Sequence, residues 1–78
     1  MILSQAFLAD LELLNLFTLD SEQSGLKIHH DAEPEVIAAA QRLFDKGIVT
    51  LPDGGYLTDL GHDLSEHAQV VKIALTHK

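Results

Sequence analysis

Cysteine is absent from the chain, and with it go a disulfide scaffold, a zinc finger and a thiol enzyme. Cations are scarce. Five Lys+Arg stand against 12 Asp+Glu, a formal net charge of -7. That balance argues against binding to a phosphate backbone or to an anionic membrane surface. Long apolar runs are missing too. The stretch from Met1 to Phe17 is apolar but has no basic leader, and Asp10 and Glu12 interrupt it. It is too short and too charged for a membrane span or a signal peptide, so the chain reads as a soluble cytoplasmic protein.

Enzyme signatures are lacking as well. No serine sits in a G-x-S-x-G elbow, no G-x-x-x-x-G-K phosphate loop occurs, and Gly54-Gly55 belongs to a turn. Carboxylates are plentiful, but the predicted helices spread them over surfaces instead of gathering them in a pocket. So short a chain leaves little volume for a substrate cavity of about 300 Å3 beside its core. The expectation is a protein without catalytic residues and without a cofactor.

What remains is enough to fold. Of 78 residues, 46% are hydrophobic, which suits one small domain spanning residues 1–78. A domain of this size buries only about 60–65% of the surface its unfolded chain exposes. With no disulfide and no obvious metal cluster to staple it, oligomerisation is the remaining device, and a homodimer is the expected state.

Four segments follow along the chain. Ser4 is a helix N-cap, and Phe7, Leu8, Leu11 and Leu14 recur at helical spacing, predicting a helix over 4–17. Leu13, Leu16 and Phe17 widen its apolar sector, so it should meet two neighbours or a partner chain. A short helix is expected at about 21–28, weakened by Gly25. A second long helix is predicted over 33–46. Asp31 or Glu33 is its cap, Pro34 suits its first turn, and Val36, Ile37, Ala40, Leu43 and Phe44 form one face. Gly47 supplies its left-handed stop.

A hairpin over 48–58 comes next, with Ile48-Val49-Thr50-Leu51 and Tyr56-Leu57 flanking the turn Pro52-Asp53-Gly54. The last helix is predicted over 58–75 with Thr58 as cap. Leu57, Leu60, Leu64, Ala68, Val71 and Leu75 are spaced 3, 4, 4, 3 and 4, close to a coiled-coil seam, while Val70 and Ile73 add a second apolar strip. One strip can bury against the domain while the other meets a partner.

Helix, short helix, helix, hairpin, helix is the order of a winged helix-turn-helix with an added C-terminal helix. The fold class is therefore mainly α with a small β-hairpin; a helical bundle with an incidental hairpin is the competing arrangement. Three stretches carry a closer resemblance: Leu11-Glu12-Leu13-Leu14; Lys27-Ile28-His29-His30-Asp31-Ala32; and Lys46-Gly47-Ile48-Val49-Thr50 with Asp53-Gly54-Gly55-Tyr56-Leu57-Thr58. In these the chain resembles a small gammaproteobacterial family of conserved proteins of unassigned function, some of them labelled as related to an inhibitor of DNA-binding proteins. The resemblance implies a cytoplasmic bacterial protein and carries over no catalytic residues.

A winged helix places the helix before its wing in the major groove. Here that helix would offer Gln41, Arg42 and Lys46 as DNA contacts, against Glu35 and Asp45 on the same face. The wing tip Pro52-Asp53-Gly54-Gly55 has no cation. A dimer would bring twice -7, a charge of -14, to a polyanion. Nucleic acid is thus disfavoured unless folding gathers Lys27, Arg42 and Lys46 on one side. The leading expectation is a non-enzymatic protein–protein interaction and dimerisation module. Its expected contacts are Leu60, Leu64, Val71 and Leu75, with Leu13 and Phe17 from the first helix; the alternative for all six is ordinary core.

The histidines are weaker signals. His29 and His30 are adjacent on a segment before a helix, where neighbouring side chains diverge. His62–Glu66 and Asp63–His67 are spaced i, i+4, so each pair stacks on a helix face. Surface pairs are the simpler reading of both; a divalent metal on His62 and Glu66 is the sharper one. Protonating all five His would move the charge from -7 to -2, which would make an interface pH-responsive.

Overall fold

The computed structural model describes residues 3–19 and 25–77. In chain order it has α1 (Gln5–Leu19), β1 (Leu26–Lys27), α2 (Pro34–Asp45), β2 (Val49–Leu51), β3 (Gly54–Leu57) and α3 (Asp59–Thr76). Among the described residues there are three helices and one antiparallel three-stranded sheet, ordered β1-β3-β2.

Most of the local signals act as expected. The Ser4 hydroxyl accepts from the Phe7 amide at 3.0 Å and opens α1. At the end of α2, Gly47 takes φ +74°, its amide donates to the Phe44 carbonyl at 3.0 Å, and the Ile48 amide donates to the Leu43 carbonyl at 2.9 Å. That pair of bonds is a Schellman stop. The start of α2 differs from expectation: Glu33 holds the cap position without a side-chain hydrogen bond, and Pro34 alone marks the entry.

Thr58 ties three elements together. Its hydroxyl accepts from the Gly61 amide at 3.0 Å, capping α3, and donates to the Gly47 carbonyl at 2.6 Å. Its own amide donates to the Ile48 carbonyl at 3.0 Å. One residue therefore fixes α3 against both the end of α2 and the start of β2.

The short helix expected at 21–28 is corrected in its described part. Residues 21–24 lie outside the described residues; Leu26–Lys27 is strand β1, paired antiparallel with β3 through Leu26↔Gly55 and Lys27↔Gly54. The physical reason is the partner. Gly54 has no side chain, and a Cβ there would stand 2.3 Å from the Leu26 carbonyl oxygen, so the two backbones approach closely only because Gly54 is bare. The β2–β3 register slips between Val49 and Leu51, a bulge at which the Tyr56 amide donates to the Thr50 hydroxyl at 2.9 Å.

The core lies between α1, α2 and the sheet: Leu13, Leu14, Phe17, Ala39, Ala40, Leu43, Ile48 and Val49. Ala9, Leu26, Ile28, Leu57 and Ala68 pack around it. On α2 the buried face is rotated from the expected one. Ala39 and Ala40 lead it, while Ile37 and Phe44 are exposed. Two alanines at the contact let α1 and α2 approach at close range, which the larger side chains would prevent.

Candidate interaction surface

Over its first three turns, helix α3 meets the rest of the domain with small residues. Only Gly61 and Ser65 are buried on it, and Ala68, Gln69 and Lys72 are half-buried. At 3.6 residues per turn these five fall within a sector of about 100°. The fit at the top is tight: a Cβ on Gly61 would stand 2.1 Å from the Ile48 carbonyl oxygen. Small residues on the inward face put the large ones outside.

Leu60, Leu64, Val71 and Leu75 form one stripe, about 60° wide, beside the buried sector. All four are exposed, from 36% at Leu64 and 49% at Leu60 to 81% at Leu75. Val70 and Ile73 are exposed on other sides of the same helix. The last two turns of α3 thus present apolar side chains over more than half their circumference, where solvated polar residues would be the ordinary occupants.

Leu13 and Phe17, expected beside those four as partner contacts, are 3% and 4% exposed. Both sit in the core of the chain, because α1 turns them toward α2 and the sheet. On α1 the large apolar residues that are exposed are Phe7, Leu8 and Leu16 instead, with Leu3 just before the helix. The six expected residues therefore divide into two of the core and four of an outward stripe. Sequence reasoning found the spacing of the stripe but missed the signal for its direction, the run Gly61, Ser65, Ala68 at spacings 4 and 3.

Of the residues expected to face DNA, Gln41 and Lys46 are exposed and Arg42 is placed differently. Arg42 points to α1, not to solvent: its Nε donates to Asp10 Oδ1 at 2.9 Å and Oδ2 at 3.2 Å, and a terminal nitrogen lies 2.9 Å from Oδ1. The same nitrogen reaches the Ala6 carbonyl at 3.4 Å. Hydrogen bonding to Asp10 raises the Arg42 pKa above its ordinary value, so the guanidinium stays charged in this pair. Gln41 donates to Asp45 Oδ1 at 2.9 Å, and Lys46 is exposed at the end of α2. Lys27 is spent on Asp53, 3.5 Å away across the sheet edge. Two of these cations are thus already paired with acids.

His29 and His30 line an open groove of about 520 Å3 with Ile28, Ile37, Gln41 and Pro52. It is larger than expected for so short a chain, but it is a surface furrow with no enclosed chamber. His62 and Glu66 are exposed on α3, and among the described residues no three His, Asp or Glu side chains gather as a metal cluster would need. No helix among the described residues is long and apolar enough to cross a membrane.

Comparison with known proteins adds a family. A family model, described as a family of unknown function (DUF5669), matches residues 1–76, and the chain belongs to that family. No curated protein and no solved structure matches it.

Proposed function

We propose that this chain is a non-enzymatic protein–protein interaction module, regulatory in class, that works as a homodimer through the outward stripe of α3. One observation carries the reading: α3 seats Gly61, Ser65 and Ala68 on its own domain and leaves Leu60, Leu64, Val71 and Leu75 in water. Burying an exposed Leu or Val is worth about 1.5–3 kcal/mol, so a helix oriented this way forgoes stabilisation that only a partner recovers. The winged-helix arrangement belongs to the same proposal. It is supported by the Gly47 stop, the hairpin that follows and the sheet order β1-β3-β2. A cytoplasmic bacterial setting suits it.

The alternative, a winged-helix regulator bound to DNA through Gln41, Arg42 and Lys46, has less support. Arg42 is engaged with Asp10, Gln41 with Asp45, and the wing carries Asp53 and no unpaired cation among its described residues.

Sedimentation equilibrium tests the leading reading. The protein is expected to self-associate, and the double substitution Leu64→Glu with Val71→Glu is expected to weaken association by more than about 100-fold while the fold persists. A protein that stays monomeric at every concentration refutes it.

A further inference from the structure

Resting on the reading above, we propose that the stripe of α3 takes a second copy of this chain laid antiparallel, with residues 67 and 68 at the twofold axis. The apolar positions are symmetric about that point. Leu60 and Leu75 flank it at equal distance, and so do Leu64 and Val71. Reversing the helix therefore sets Leu60 against the partner's Leu75 and Leu64 against the partner's Val71.

Charge chooses the direction. The first half of α3 carries Asp59, Asp63 and Glu66 and no Lys or Arg; the second half carries Lys72 and no acid. Parallel pairing would set each acidic half beside its copy and align the two helix dipoles. Antiparallel pairing separates the two acidic halves along the helix axis and opposes the dipoles; Lys72, half-buried toward its own domain, takes no part in the choice.

Surface area bears on whether a partner covers the stripe, whichever way it runs. The chain exposes 5646 Å2, whereas a compact monomer of 8.5 kDa exposes roughly 4,650 Å2. The surplus of about 1,000 Å2 is on the scale of one partner's share of a standard interface, about 800 Å2. The end of α3 contributes to it, since Val70, Val71, Ile73 and Leu75 are each more than half exposed. In the antiparallel pair that end lies along the first turns of the partner helix, where Leu60 is waiting uncovered.

The chain has no cysteine, so single cysteine substitutions report proximity without background. Leu60→Cys and Leu75→Cys are both at exposed positions, and circular dichroism confirms that each variant folds. Under oxidation, a mixture of the two is expected to form an order of magnitude more covalent dimer than either alone. His67→Cys by itself is expected to cross-link at the axis. In an antiparallel pair two copies of residue 60 lie about 22 Å apart, well beyond disulfide reach. Covalent dimer from Leu60→Cys alone would overturn the antiparallel arrangement and leave self-association standing. Association in the centrifuge with no cross-link from any of the three would move the interface off α3. A monomer at every concentration would overturn the dimer itself.

Discussion

Gly61→Ala is the substitution on which helix propensity and tertiary packing disagree in sign. Propensity favours it: alanine is better than glycine in a helix by at most about 1 kcal/mol. Packing opposes it. The added Cβ would stand 2.1 Å from the Ile48 carbonyl oxygen, and ordinary contact begins near 3.4 Å, so the start of α3 must retreat by about 1.3 Å. That same carbonyl accepts from the Thr58 amide at 3.0 Å and the Thr58 hydroxyl at 3.1 Å. Overpacking of this kind costs about 1–3 kcal/mol, and each stretched bond adds about 0.5–1.5 kcal/mol. The net loss is about 1–5 kcal/mol, centred near about 3 kcal/mol, a large part of the roughly 4–12 kcal/mol available to a 78-residue domain. Thermal unfolding followed by circular dichroism should show a Tm lower by about 10–25 °C. Gly47→Ala is the control: its Cβ meets nothing within 4 Å, and it loses only about 1–2 kcal/mol to the positive φ. A Gly61→Ala protein as stable as the parent would refute the close seating of α3 on β2.

The other predictions separate the roles of single residues. Leu13→Ala opens a cavity in the core and should cost about 2–5 kcal/mol in denaturant unfolding, whereas Leu75→Ala should leave the unfolding of a dilute sample within about 0.5 kcal/mol of the parent. Thr58→Ala loses the α3 cap and its bond to Gly47 and should cost about 1–2 kcal/mol, with Thr58→Ser recovering most of it. A double-mutant cycle with Asp10→Ala and Arg42→Ala should show favourable coupling between α1 and α2. Because the folded protein raises the Arg42 pKa, that contribution is complete below the unfolded guanidinium value and fades only as pH rises through the folded one. Stability curves at about pH 6 and pH 9 should therefore give the same Arg42→Ala difference, and a difference that shrank by pH 9 would contradict the assignment.

Much of the fold was legible because the signals are local. Ser4, Gly47 and Thr58 act within a turn of themselves, and each performs the role its residue type and position predict. Strand β1 was not legible in the same way. Leu26-Lys27-Ile28 does alternate apolar, polar, apolar, but two paired residues form a strand only because Gly54, nearly thirty positions away, has no side chain to keep them off. Arg42 shows the same limit. Its neighbours in sequence predict a solvated face; Asp10, 32 residues earlier, decides its direction.

The stripe on α3 lies between these cases: its spacing is local, and its exposure is decided by the residues beside it. Spacing alone places Leu60, Leu64, Ala68, Val71 and Leu75 on one seam, and spacing is silent on what covers a seam. The answer is held by the residues beside it. A helix whose apolar side faced its own core would set bulky residues inward and small polar ones outward; here Gly61 and Ser65 are buried and the leucines are not. Selection for monomer stability alone would have no use for that inversion, since turning α3 by about a quarter turn would bury the stripe. The Gly61 contact with Ile48 and the Thr58 cap prevent the turn. The fold therefore uses a close backbone contact to keep an apolar surface outside, which is the arrangement the proposed dimer requires.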